Sequence, residues 1–565
     1  MSAQNPDGPT GRQASETAWP ADNAPSARWP IYTRGNVGEV YPDVVLPLEW
    51  ELGGLASERG WRRGAETVGF LTPDDYGPGD LVLIGVFGGY AYFNASLMRL
   101  LGVRTPGLAV DVIDQQFLGE AAAGLAPYEA SPGDRNLRAT TRVLATAIRT
   151  LRARSVPLID EMRTRVETYR RHAPPLDAER HQLWGYVNQG LDELWEYLIA
   201  SHVIVTMQAT IAAGRLTDLC ENRLGDPNLA VALTTGIGDV VSAEPARELW
   251  QLANDTPADE FDAAFARFLD RHGHRGPNEF SLVGRDWAGN PELALAAIET
   301  MRGADPERSP QAMADRMVDE RERAVAEARR RLGWRGRGLD GAIEATARWS
   351  RAREASKNEV IRASQVARHR LVELQRRATD AGGVEDRLGP LLLSIAEFEA
   401  YLDDPPSMVT TIEERTAAHR RLVTLEPPFA FDSTEHGGAH PPTSTWAAKR
   451  TEAERASSGE VLAGAAGAPG VTRGLVRVIT DPADPRGLQP GEILVAPLTD
   501  PSWTPLFVPA GGVVVEVGAA MSHSMIVSRE LGIPCVVGVA DATLRLADGM
   551  EVELDGQAGT VRVVS

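Results

Sequence analysis

The sequence predicts a multidomain chain, with a mainly α-helical body followed by a C-terminal α/β domain. Two observations carry this. From about residue 134 to 215, Leu, Val, Ile and Ala recur at three- and four-residue spacing among Arg and Glu, as in amphipathic helices. Near the C-terminus the β-branched run Val513-Val514-Val515 enters a turn at Gly518-Ala519-Ala520 and leaves it as an amphipathic segment closed by Gly532 and Pro534. The result is a strand–turn–helix unit whose turn delivers His523 between Ser522 and Ser524.

Taken in order, residues 1–27 are rich in Pro, Ala, Ser, Asn and Asp with no apolar run, and they read as a disordered tail without a signal peptide. The body is expected over 28–431. Its longest apolar stretch, Tyr197 to Ala213, contains His202 and Gln208 and reads as a buried core helix rather than a membrane span. Ser242 before Glu244-Pro245 marks a helix start. The Arg/Glu/Ala-rich region from about 307 to 379, broken near Gly333 to Gly341, predicts an antiparallel helical pair with charged, solvated faces. Residues 432–464 lose periodicity and read as a linker, and as a hinge if the following domain, 465–565, swings.

Composition bounds the function. A chain of 565 residues allows three or four domains. A net charge of −20 argues against a nucleic-acid binder, which needs cations to neutralise phosphates. Cys220 and Cys535, far apart, give neither a disulfide framework nor a metal cluster and suit a reducing cytoplasm. No metal site and no membrane association are expected.

His523 is placed for chemistry. A helix N-terminus offers free N–H groups and positive dipole to an anion, and a neutral imidazole is a nucleophile that forms a labile N–P bond. The surrounding motifs extend from about Ala468 to the terminus: Pro469-Gly470-Val471-Thr472-Arg473-Gly474, Gly491 to Pro497, Thr499-Asp500-Pro501, Ser522-His523-Ser524, Arg529-Glu530-Leu531-Gly532-Ile533-Pro534 and Asp548-Gly549. In that order they resemble the mobile, or swivelling, phosphohistidine domain of phosphoenolpyruvate-utilising enzymes. The resemblance implies a β/β/α swivelling fold and a phosphorylated His523. Ser522, Ser524 and Arg473 are candidates to stabilise the phosphoryl group. Met521 stands where plant-type dikinases carry a regulatory threonine, so that control is not expected. Arg529 is expected on the domain surface or at a docking face.

The body has its own resemblance. Tyr32 to Pro42, Ala91-Tyr92-Phe93-Asn94, Gly236 to Pro245 and Gly273-His274-Arg275-Gly276-Pro277-Asn278-Glu279-Phe280 are similar to the acceptor-binding domain of rifampicin phosphotransferases. His274, Arg275 and Glu279 are the acceptor-site candidates: a base to assist a hydroxyl and a cation to neutralise phosphoryl oxygens. Arg275 and Glu279, four apart, could equally form a structural pair, and His272 competes with His274. Arg34 and Glu39 are weaker candidates. Phe87, Tyr90, Tyr92, Phe93 and Trp287 are read as core.

No Walker-type Gly-x-x-x-x-Gly-Lys motif occurs, and neither an ATP-grasp region before the body nor a (β/α)₈ barrel after the mobile domain is recognised. The expectation is a split enzyme: no cofactor bound by this chain, ATP and Mg²⁺ on a separate ATP-grasp protein resembling the N-terminal part of phosphoenolpyruvate synthase, and a small hydroxylated acceptor. The architecture also resembles the histidine-bearing subunit of phenylphosphate synthase. The alternative is a non-catalytic phosphocarrier or regulatory protein, which needs no small-molecule cavity in the body.

Overall fold

The computed structural model describes residues 19–564 except 36, 78–79, 119–121, 123, 227–228, 239–240, 242, 278, 283, 304–305, 334–337, 482–486, 500–502 and 518–522. The expected tail falls outside this range up to residue 18. From residue 19 the chain is held to the body, contrary to a tail running to 27. Trp19 is buried, its indole N–H donates to Val45 O (2.7 Å), and Asn23 Oδ1 accepts the Val86 N–H (2.8 Å).

The principal helices are α1 (Leu55–Val68), α2 (Leu137–Arg152), α3 (Pro157–Arg171), α4 (Arg180–Leu224), α5 (Glu244–Asn254), α6 (Phe261–His272), α7 (Pro291–Met301), α8 (Pro310–Leu332), α9 (Leu339–Asp380) and α10 (Val409–Leu422). α4 and α9 run antiparallel: His202 of α4 meets Ser356 of α9 (2.8 Å), and Arg377 near the end of α9 donates to Ala178 O, just before α4 starts. At 45 residues α4 is roughly 65 Å long. It passes the length and hydropathy test for a membrane span, yet Leu183, Val187, Leu191, Leu198, Val205 and Ala212 bury against α1 and α9. On α9, Ala345, Trp349, Ala352, Val360, Ala363, Ala367, Leu371 and Leu374 make the matching stripe at helical spacing, and the small residues let the backbones approach. Gly60 and Gly64 serve the same end on α1, since a Cβ there would meet Ile199 or Val203 of α4 within 3.0 Å.

A four-stranded antiparallel sheet shares the core of this bundle, in the order β2–β3–β1–β4, from β1 (Ile31–Thr33), β2 (Ile84–Phe87), β3 (Tyr90–Asn94) and β4 (Ala430–Asp432). Phe87, Tyr90, Tyr92 and Phe93 are core in this sheet, as read from the sequence. The break between the two charged helices falls where expected, with α8 ending at Leu332 and α9 starting at Leu339.

The C-terminal domain is an eight-stranded sheet in the order β5–β12–β11–β7–β8–β9–β10–β6. Its strands are β5 (Val461–Ala463), β6 (Ala465–Ala468), β7 (Val471–Val478), β8 (Ile493–Ala496), β9 (Gly512–Val515), β10 (Cys535–Val537), β11 (Glu551–Asp555) and β12 (Thr560–Val563). β7 to β10 are parallel neighbours and the outer strands antiparallel. Side chains alternate: Ile493, Val495, Val514 and Val536 fill one face, while Leu494, Ala496, Val513, Val515, Cys535 and Val537 fill the other.

That second face corrects two expectations. It buries α11 (His523–Leu531) together with Trp250, Phe268, Trp287, Ile298 and Met301 from α5, α6, α7 and their connections, so these helices share a core with the sheet rather than with the α4–α9 bundle. The body is therefore not one domain over 28–431. Nor is 432–464 a free linker. β4 pairs with β1, Leu425–Glu426 pairs with Ala447–Ala448, and Lys449 N–H donates to Thr424 O (2.7 Å), all on the body side. Arg450 then pairs with Asp541 (2.6 Å), Ala456 N–H donates to Arg545 O (2.9 Å), and β5 joins the C-terminal sheet before residue 465. Periodicity is lost across this stretch because its strands are short and pair with distant partners.

A buried ion pair locks the N-terminal layer. Arg104 and Asp75 are 1% and 2% exposed and bonded bidentately at 2.6 and 2.7 Å, and Arg104 also donates to the carbonyls of Phe70 and Asp134. Asp75→Ala strands the guanidinium in the interior and is expected to lower stability by about 3–5 kcal/mol in denaturant unfolding. A loss below about 1 kcal/mol would show that water reaches the site.

Candidate functional site

β9, an unbroken β-branched run, delivers the chain to α11, and α11 opens at His523. Gly532 at φ +65° ends the helix in the left-handed conformation, and Ile533 N–H returns to Ser528 O (2.8 Å). The strand and the helix are those read from the sequence, and the expected turn at Gly518-Ala519-Ala520, with Met521, lies outside the described residues. His523 thus stands at the carboxyl end of a parallel strand and at a helix N-terminus, where oriented N–H groups favour an anion. Its side chain, and Ser522 altogether, lie outside the described residues. Ser524 is buried in the first turn of α11.

The same edge is held by the neighbouring strand ends. Glu516 N–H donates to Ala496 O (3.1 Å) and Val517 N–H to Pro497 O (3.0 Å), while Glu516 Oε1 accepts Thr543 N–H (2.6 Å). Arg473 is not at this edge. It faces Glu553 within β7 and its exposed guanidinium pairs with Glu551 at 2.8 Å. Val478, five residues on, marks the carboxyl end beside Val495, which leaves Arg473 roughly 17 Å down the strand. Sheet register, which no local motif encodes, separates it from the histidine.

α11 lies against the helical body. Arg529 donates to Gly467 O (2.9 Å) inside its own domain, and Glu530 accepts the Ile237 N–H of the body near Arg321, Arg351 and Glu354. The docking reading of this dipeptide therefore falls on Glu530, with Arg529 bracing the helix. Burial pushes the Glu530 carboxyl up to about 7, overriding the Ile237 bond and the Arg321 charge that pull it down. Cys535 is wholly buried and its thiol is pushed by burial up to about 12, consistent with a small apolar role.

The acceptor candidates separate. Arg275 and Glu279 are buried and paired at 3.0 Å, with Lys357 3.5 Å from the same carboxylate and Arg368 donating to Glu279 O (2.8 Å). Glu279 lines a cavity of about 400 Å³; His274 and Arg275 do not. His274 shares a 2.8 Å hydrogen bond with Asn358, and burial, with Arg275 beside it, holds its imidazole well below the ordinary value, so it is neutral. His272 is buried 3.2 Å from Glu248. Trp287 is core. Arg34 acts on the cavity indirectly: stacked over Tyr90 and Tyr92, it donates to the carbonyls of Tyr41 and Pro42, which lie on the wall. The Glu39 side chain lies outside the described residues.

Sequence reasoning missed Asp43, Glu49, His419 and Leu498 on that wall. Glu49 accepts Ser281 Oγ–H (2.6 Å) and Leu282 N–H (2.5 Å), and burial lowers the His419 imidazole below its ordinary value. Leu498 follows β8 by two residues, so the cavity abuts the edge of the sheet from which α11 is reached. Apolar Val44, Phe280, Leu388 and Val423 make up much of the rest. Such a mixture suits a small organic molecule with a polar group.

Residues 488–559 match the model of the PEP-utilising enzyme mobile domain, and residues 254–354 match that of the rifampicin phosphotransferase fourth domain. The chain thus carries the phosphohistidine-type module that its motifs indicated, beside a module of the rifampicin phosphotransferase kind. It is 33% identical over 323 residues to an uncharacterized protein of Mycobacterium tuberculosis, covering 57% of this chain and 33% of that protein. It is 31% identical over 387 residues to a rifampicin phosphotransferase of a Streptomyces species, covering 62% and 43%. It is 33% identical over 307 residues to a prodigiosin-synthesizing transferase of Serratia marcescens, covering 53% and 33%. The chain spans less than half the length of each of these relatives.

The Glu530 contact sets a pH dependence. A free glutamate titrates near 4.5 and the docked one near 7, so docking is fully favoured below the lower value and weakens as pH rises through the upper one. Distances between spin labels on α9 and β12 are expected to show the docked population falling from pH 5 to 8. Glu530→Gln should flatten that profile; an unchanged profile would assign the titration to another group.

Proposed function

We propose that this chain is the phosphoryl-carrying component of a phosphotransferase, working in the cytoplasm. In this reading His523 accepts a phosphoryl group from an ATP-grasp protein acting in trans, which holds ATP and Mg²⁺, and passes it to a small hydroxylated molecule in the body's cavity. The observation that carries the reading is the cavity of about 400 Å³, whose wall joins Glu279 and Phe280 of the body to Leu498 at the strand edge beside α11. A phosphocarrier without an acceptor has no need of such a space. The module matches and the phosphotransferase relative support histidine-mediated phosphoryl transfer.

The chemistry is two displacements. An imidazole nitrogen forms a bond to phosphorus as the donor's P–O bond breaks, and the helix N-terminus favours the charged group so formed. The acceptor oxygen then attacks phosphorus and the N–P bond breaks; the other ring nitrogen keeps its proton throughout, so the leaving group is neutral imidazole. The hydroxyl proton goes to a group on the cavity wall, for which Glu49, Glu279 and His419 are placed. Positioning and charge neutralisation supply most of the acceleration in such transfers.

With the donor protein, ATP and Mg²⁺, the chain is expected to take up acid-labile, base-stable phosphate, and His523→Asn to take up none while melting at an unchanged temperature. Label retained on His523→Asn would falsify the assignment, and label from ATP without the donor protein would overturn the arrangement in trans. Val423→Trp, which fills the cavity from its half-buried rim, is expected to raise the acceptor KM at least tenfold while His523 labels at the unchanged rate. An unaltered KM in steady-state assays would place the acceptor elsewhere.

A further inference from the structure

Buried and half-buried arginines of this protein commonly meet carboxylates, as Arg104 meets Asp75, Arg275 meets Glu279 and Arg368 meets Asp286. Four arginines that line one cavity, three of them half-buried and Arg154 exposed, do not. The cavity, about 480 Å³, lies where the end of α2, the middle of α8 and the first turns of α9 converge, and its wall holds Arg154, Arg321, Arg348 and Arg351. Among the described residues none of the four has a carboxylate within ion-pair distance. Glu344 is the one acidic side chain among the described lining residues, and it pairs with none of them. The wall therefore concentrates positive charge in a chain whose net charge is −20.

Three of the guanidinia are held in place. Arg348 Nη1 donates to Ala153 O (2.6 Å), Arg351 Nη1 to Ile237 O (2.8 Å) and Arg321 Nη1 to Gly236 O. Each such bond uses one of five N–H groups and leaves the planar fork available. Side chains already ordered lose little freedom when they bind a ligand. Ile237, Ile343 and Ala347 give the wall an apolar part on which an organic group can pack. The volume exceeds that of a bare phosphate ion and admits an attached organic group.

We propose that this cavity is a binding site for a phosphate ester or diphosphate, an anion of two or more charges carrying an organic group. The site shares no lining residue with the acceptor cavity and is a second ligand site on the chain. Its position links it to the docked helix. Gly236 and Ile237 offer their carbonyls to Arg321 and Arg351, while the Ile237 N–H is accepted by Glu530 of α11. An anion that neutralises Arg321 and Arg351 removes the two charges that favour ionised Glu530.

Calorimetric titration of the full chain with AMP, pyrophosphate and inorganic phosphate tests the site. AMP or pyrophosphate is expected to bind saturably, with an affinity that falls as salt rises. Arg348→Gln combined with Arg351→Gln should weaken it at least tenfold. Arg154→Glu, at an exposed side chain that makes no hydrogen bond among the described residues, should weaken it comparably without disturbing the fold, and Glu344→Gln should tighten it. Arg330→Gln, on an exposed side chain outside the cavity, should leave it unchanged. AMP tighter than pyrophosphate assigns a nucleotide, and the reverse assigns a diphosphate group. Absence of saturable binding, affinity unaffected by Arg154→Glu, or phosphate bound as tightly as both larger anions overturns the proposal.

Discussion

One helix, α9, carries the constraint on which the rest depends. Its inner stripe is alanine-rich, so it lies close against α4 along most of its length, and its other faces reach outward with long cationic side chains. Those side chains are the supports of nearly every loop that matters. Lys357 and Arg368 hold the segment of Glu279, Asn358 fixes His274, and Arg351 secures Ile237. His369 and Arg368 both meet Asp286, and burial of that carboxylate is outweighed by these partners, which hold it below its usual range. A loop cannot bury its own backbone without partners; here one long helix provides them in series.

The sheet that carries α11 has a different kind of support. One face closes on its own domain through Val476, Val514 and Val536, whereas the other is completed by Trp250, Phe268 and Trp287. Apolar burial is non-directional, so this second face fixes the sheet onto α5 to α7 without specifying bonds that chemistry would have to break. The contact that does specify orientation is polar and small, between Glu530 and Ile237.

What the sequence made legible was local. The strand before His523 and the helix that it opens could be read because their determinants, from Val513 to Pro534, lie within one short stretch. The break between α8 and α9 was visible for the same reason, since Gly333 and Gly338 take positive φ on its two sides. Non-local pairings were invisible. Arg473 looked like a phosphoryl ligand because its turn belongs to the same motif set, and only the register with Glu551 and Glu553 places it at the far end of β7. His274 looked like a base, but Asn358, 84 residues on, closes it off. The cavity wall draws Glu49, Glu279, His419 and Leu498 from four parts of the chain, a convergence no spacing rule encodes.

The connection between body and sheet is short. Lys449 is bonded to Thr424 on one side and Ala456 to Arg545 on the other, which leaves six residues, 450–455, between fixed points. Extended fully, such a span bridges roughly 20–25 Å. Any travel of the sheet beyond that distance must first peel Ala447–Ala448 from Leu425–Glu426. For the carrier role proposed above, a tether of this length implies an effective concentration of the imidazole on the order of millimolar at its own body's cavity. Delivery then becomes a first-order event, independent of how much protein is present, and a neighbouring molecule's cavity competes only at comparable concentration.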